Sequence, residues 1–198
     1  MSDEAEYWAK VRKVTLEHAT RVGEVTLAWV YLHVTLGLWY TRLNSSGSDI
    51  THALRDWDVC NSDYHQRNAM LVPSIKASRN KNAAIMDSLL WVCEWANELA
   101  RIRNGFVHAI TVVRGLPDKP QVEFMEQLHL KGADDRFARV KGKLPESFDA
   151  LMTDLGALSE FIHRSFNVFV LPDKFGPPPE RPALAILKLF PDIRPKPL

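Results

Sequence analysis

Arg103, Asn104 and His108 fall within six residues of one another, in the segment RIRNGFVHAI at 101–110, which contains no acid. A guanidinium, an amide and an imidazole have the chemistry to hold an anion and move a proton. Arginine suits phosphate because its planar fork donates two parallel hydrogen bonds. Histidine suits proton transfer because it titrates near neutrality. The amide of Asn104 can orient the histidine or the phosphate.

The segment closes NAAIMDSLLWVCEWANELARIRNGFVHA (82–109), whose apolar spacing predicts a long amphipathic helix. At about 100° per residue, Ile85, Leu89, Val92, Ala96, Leu99, Phe106 and Ile110 share one side, and Glu94, Glu98 and Arg101 take the opposite one. Arg103 falls inside the apolar stripe, between Ala96 and Leu99. Asn104 and His108, four apart, stack at the stripe's edge. A buried guanidinium is costly unless it is paired and hydrogen-bonded, which leaves two readings. In one, Arg103 pairs with a core carboxylate or caps backbone carbonyls, and the helix dipole satisfies His108. In the other, the helix end borders a cleft where Arg103 holds an anion and His108 moves a proton.

A second basic cluster, Arg67, Lys76, Arg79 and Lys81, lies in RNAMLVPSIKASRNK (67–81), again without an acid. It is either a solvated face or an RNA track. The other histidines show no His/Cys metal spacing, so neither a metal nor a cofactor is expected. His33, in an apolar run, reads as a core histidine. NSSGSD (44–49) lacks the lysine and spacing of a phosphate loop.

Several elements must position these residues. The chain has 198 residues, 46% hydrophobic and 25% charged, with a formal charge of +1. That is a globular composition without a long-range pull toward nucleic acid, so nucleic-acid binding would need a local patch. Six Trp predict heavy aromatic packing. Residues 3–43 read as one helix, or as two broken at Gly23. Within it VTLAWVYLHVTLGLWYT (25–41) carries no charge and approaches membrane-spanning length. Its three Thr, His33 and Gly37 favour a buried central helix over a membrane span. Asp49 is the expected N-cap of a short helix through Trp57. The stretch 63–78 is weakly helical, with a kink or an end at Pro73. AITVV and QVEFMEQLHL around RGLPDKP predict a β-hairpin, 131–143 an exposed loop, and 145–170 a second amphipathic helix. Eight of the twelve prolines follow Leu171. The expected organisation is therefore a helical domain, 1–171, and an extended Pro-rich tail, 172–198, that wraps the body or contacts a partner. The tail's one apolar cluster is Leu184, Ile186, Leu187, Leu189 and Phe190, through which it would pack if it packs at all, and its removal is expected to leave the core's cooperative unfolding intact. Cys60 and Cys93 make no disulfide framework, and the acidic start MSDEAEYW is unlike a signal peptide. Both suit a cytoplasmic protein.

R-N-x-x-x-H at the end of a long helix resembles the signature of the HEPN superfamily of helical nucleases and nucleotide-binding domains. Here it reads Arg103, Asn104, Gly105, Phe106, Val107, His108. The architectural resemblance covers roughly 5–170, and the sequence-specific part about a dozen residues. Many members have glycine after the histidine, where this chain has Ala109. The resemblance implies an all-α fold, an antiparallel helical bundle with a small β-hairpin. It implies a metal-independent endoribonuclease of the kind found in defence and toxin–antitoxin systems, with RNA as substrate and an antitoxin or other protein as partner. His108 would serve as base or acid, Arg103 would stabilise charge on the phosphate and Asn104 would orient. Arg103 and His108 point about 140° apart on an ideal helix. Unwinding at Gly105, or a homodimer with two 101–110 segments facing across a groove, would bring the groups together, and family members usually do the latter. The alternative is a non-catalytic interaction module of the same fold.

Overall fold

A computed structural model of the chain describes residues 3–45, 50–59, 64–108, 111–116, 119–124 and 144–198. The fold is mostly helical. Helix α1 (Asp3–Asn44) is followed by α2 (Ile50–Val59), α3 (Tyr64–Ala77) and α4 (Ala83–His108). Strands β1 (Thr111–Leu116) and β2 (Lys119–Phe124) come next, then α5 (Leu144–Val170) and two single turns, α6 (Pro172–Phe175) and α7 (Ile186–Leu189). The strands pair antiparallel from Thr111 opposite Phe124 to Leu116 opposite Lys119. The residues joining them, the expected loop at 131–143 and the expected cap Asp49 lie outside the described residues.

Helix α1 runs unbroken through Gly23 for 42 residues, about 60 Å at 1.5 Å per residue. The threonines in its uncharged stretch do not interrupt it. Thr26, Thr35 and Thr41 each donate their hydroxyl to the carbonyl four residues back, at 2.8, 3.0 and 2.9 Å, so none of these three hydroxyls is stranded. The inward face carries Val25, Trp29, Leu32, Leu36 and Trp39. By length and composition α1 could cross a membrane, but 44% of its most apolar window is buried inside the fold.

Trp39 ties α1 to α5. Its indole Nε1 donates to the Ile162 carbonyl at 3.0 Å, and its ring meets Phe166 and Phe169. Farther up, His18 stacks edge-on against Phe148, and Arg21 reaches Asp149 at 3.4 Å. Low numbers on α1 thus meet low numbers on α5, and high meet high. The two helices run in the same direction, which corrects the expectation of an antiparallel bundle throughout. Helix α3 does return antiparallel onto α4 through a turn at 78–81. The Asn82 side chain caps α4 by accepting from the Ile85 N–H at 3.1 Å. Pro73 lies within α3, which continues past it to Ala77.

The region after Leu171 is not extended throughout, as its prolines suggested; it makes a helical turn at each of α6 and α7. Leu184, Ile186, Phe190 and Ile193 are buried in the core, and Leu187 and Leu189 pack against it. Asp154 on α5, fully buried, accepts from the N–H groups of Ala185 and Ile186 at 2.6 and 2.9 Å. These two donors open α7, where backbone N–H groups have no helical acceptor.

Candidate functional site

Helix α4 is buried on nearly every side. Met86, Cys93, Trp95, Ala100 and Ile102 are covered as well as the expected stripe of Ile85, Leu89, Val92, Ala96 and Leu99. Glu98, expected on the solvent face, is only 2% exposed and lies 3.6 Å from Arg101. The helix is central, so a reading that gave it one wet face misplaced this carboxylate. Burial pushes the Cys93 thiol up to about 12, with Glu94 adding to the shift, so it is a core group and not a nucleophile.

Arg103 lies where its helical angle placed it. It is half-buried, and its guanidinium sits 6.0 Å from the centre of the Trp29 ring on α1, within range of a cation–π contact. One terminal nitrogen donates to the Asn104 side-chain oxygen at 2.9 Å. Its Nε is buried and has no hydrogen-bond partner among the described residues. No carboxylate comes within ion-pair distance of Arg103 among those residues. Burial lowers its pKa from the ordinary arginine value. The core carboxylate offered as a structural partner for Arg103 is thus not found among the described residues.

Asn104 is exposed beside it. His108 is the last residue of α4, but its side chain, like that of Arg67, lies outside the described ones. Trp29 also packs against buried His33, with ring centres 4.9 Å apart. The sequence reading took both for core residues. It did not foresee that Trp29 forms the floor under Arg103, a contact between elements more than seventy residues apart. The only local signal was the i, i+4 spacing of an indole and an imidazole on one helix.

No family model, curated protein or solved structure matches this chain. The site therefore has to be judged on its own geometry.

The second basic cluster does not join the first. Lys76, Arg79 and Lys81 are exposed at the α3–α4 turn. That is the opposite end of α4 from Arg103, roughly 30 Å along the helix. Arg79 is held by Asp87 at 3.1 Å, and Lys76 donates to the Leu198 carbonyl at 3.1 Å. A cavity of about 300 Å³ between α3 and α4 is lined by Asn68, Ala69, Val72, Pro73, Asn97 and Leu198 and includes none of 103–108. Among the described residues, no three His, Cys, Asp or Glu side chains gather as a metal-binding group.

Proposed function

We propose that the end of α4 binds an RNA phosphodiester and that the chain is a metal-independent endoribonuclease of the HEPN type. One observation carries this reading. Arg103 is a half-buried cation on an aromatic floor, with a buried N–H lacking an acceptor and no acid beside it among the described residues. A phosphate oxygen against the half-buried guanidinium would supply the missing charge.

In this reading the RNA 2′-oxygen attacks the adjacent phosphorus, and the bond to the 5′-oxygen breaks. The products are a 2′,3′-cyclic phosphate and a 5′-hydroxyl. His108 either accepts the 2′-hydroxyl proton or donates one to the leaving oxygen. Arg103 stabilises the charge that builds on the phosphoryl oxygens. Asn104, hydrogen-bonded to Arg103 in the absence of RNA, orients the guanidinium and releases one of its donors to the phosphate. The His108 of a second copy, across a groove between two 101–110 segments, supplies the other proton transfer.

The test is cleavage of a mixed RNA pool with EDTA present, by wild type and by His108→Ala. Loss of 2′,3′-cyclic phosphate ends in the variant at unchanged thermal stability supports the reading. If wild type leaves the pool intact, the non-catalytic interaction module takes its place.

A further inference from the structure

Helix α1 carries a second apolar face, directly opposite its core face. Leu27, Val30, Tyr31, Val34 and Leu38 are all exposed, from 40% to 71%. At 100° per residue they fall within an arc about 100° wide, the width of a helix's packing stripe. Single exposed apolar side chains are ordinary, whereas a contiguous row of five large ones marks an interaction surface. The described elements leave these five side chains exposed. Helix α2 lies to one side, where the Trp57 ring approaches Gly37, and α5 lies to the other, along Arg21 and Trp39.

The charges at the ends of this row say what covers it. Glu24 precedes the row and Arg42 follows it; both are exposed. Neither makes an ion pair among the described residues. They are eighteen residues apart, five full helical turns, so they share one edge of the stripe. Their midpoint, residue 33, coincides with the middle of the row. A two-fold axis through that point lays α1 antiparallel on the α1 of a second copy. Leu27 then faces Leu38, Tyr31 faces Val34, and Glu24 faces Arg42, each pair formed twice, as an isologous contact requires. Parallel pairing would set Glu24 level with Glu24 and Arg42 level with Arg42, leaving neither an opposite charge to pair with.

We propose that this stripe is a homodimer interface, an antiparallel α1–α1 pair closed at both ends by Glu24 and Arg42. A lipid surface fits less well. Membrane-surface helices carry lysine and arginine along the polar face, whereas here one end of the row is acidic. The proposal is independent of the nuclease reading. Arg103 packs on Trp29, on the far side of α1 from this face, so this dimer does not cover Arg103. A chain using both surfaces would assemble beyond a dimer.

Sedimentation velocity of the full chain over a concentration series tests it. Wild type should dimerise at micromolar concentration. Leu27→Glu with Val34→Glu should halve the assembly, to monomers or, where the 101–110 surface is also used, to that dimer, with an unchanged circular dichroism spectrum, because both positions are exposed. Glu24→Arg alone should weaken the dimer on the order of tenfold, since two exposed charge pairs turn repulsive. Glu24→Arg with Arg42→Glu should restore it, and neither charge change touches the core. A wild type that stays monomeric overturns the proposal. So does co-sedimentation of monomers with anionic vesicles of phosphatidylcholine and phosphatidylserine. Dissociation by Asn104→Arg but not by the α1 variants overturns it too, because the copies then meet at 101–110.

Discussion

A guanidinium half-buried on an indole, with one N–H lacking an acceptor among the described residues, is poorly placed for stability and well placed for an anion. The two roles separate on substitution. Arg103→Met keeps an unbranched stem over Trp29 and drops the charge. It loses a cation–π contact, about 0.5–2 kcal/mol, and relieves the desolvation of a buried cation, so stability should change by no more than about 1 kcal/mol. RNA cleavage should fall about 10²–10³-fold, as when one transition-state donor is removed. Arg103→Lys should recover only part of it, because a point charge replaces a fork, and Asn104→Ala should be milder. Urea unfolding beside a cleavage assay reads both quantities. A loss of several kcal/mol in Arg103→Met, with cleavage unaffected, makes Arg103 structural. The inward angle of this arginine was legible in the sequence because it needs only the helical period. Its floor was not, since Trp29 comes from a different helix and only tertiary packing joins them.

Among elements, α1 shows how far a helical pattern can be read. Its length was in doubt at Gly23, and its Thr-rich interior looked ambivalent. Yet each threonine closes its own hydrogen bond, and the helix does not break. The two glycines in α1 are now distinguishable. A Cβ on Gly23 would meet nothing within 4 Å, whereas one on Gly37 would sit 2.6 Å from Nε1 and 2.8 Å from Cδ1 of Trp57. Gly23→Ala should therefore stabilise by about 0.5–1 kcal/mol through helix propensity alone. Gly37→Ala should destabilise by about 1–3 kcal/mol through overpacking against the indole. Thermal melts of the two variants should shift in opposite directions. Equal shifts would mean that α2 does not seat on Gly37. The parallel course of α1 and α5 could not be read from either helix. Both are amphipathic, and orientation depends on the long excursion between them. Glu98 was misread for a related reason, because a period gives the position of a charge on a helix but not how many neighbours the helix has.

At the scale of the whole molecule the C-terminal region matters most. Its composition pointed to an appendage, because eight prolines deny it donors and helical continuity. The same reading identified Leu184, Ile186, Leu187, Leu189 and Phe190 as the residues able to pack. All five lie in or against the core, with Ile193 in addition. Composition described the backbone and pattern described the side chains, and burial followed the side chains. Ile186→Ala should cost about 2–5 kcal/mol and lower the single main unfolding transition. A separate early transition would mean that the region melts on its own, as an appendage does. Asp154 gives a test of the same docking through pH. Burial raises its pKa from the ordinary carboxylate value, against the opposing pull of the Ile186 and Ala185 N–H groups. In the unfolded chain it returns to about 3.9. The folded chain thus holds this proton more tightly. The contribution of the group to stability is fully present below the unfolded value and is lost as pH rises through the higher folded one. Asp154→Asn cannot titrate, so subtracting its stability from that of wild type cancels every other carboxylate. The wild-type advantage over the variant should therefore grow as pH falls from about 7 to about 4, read from paired urea melts. If it shrinks instead, the two backbone donors outweigh burial, and the region is held by an ionised carboxylate.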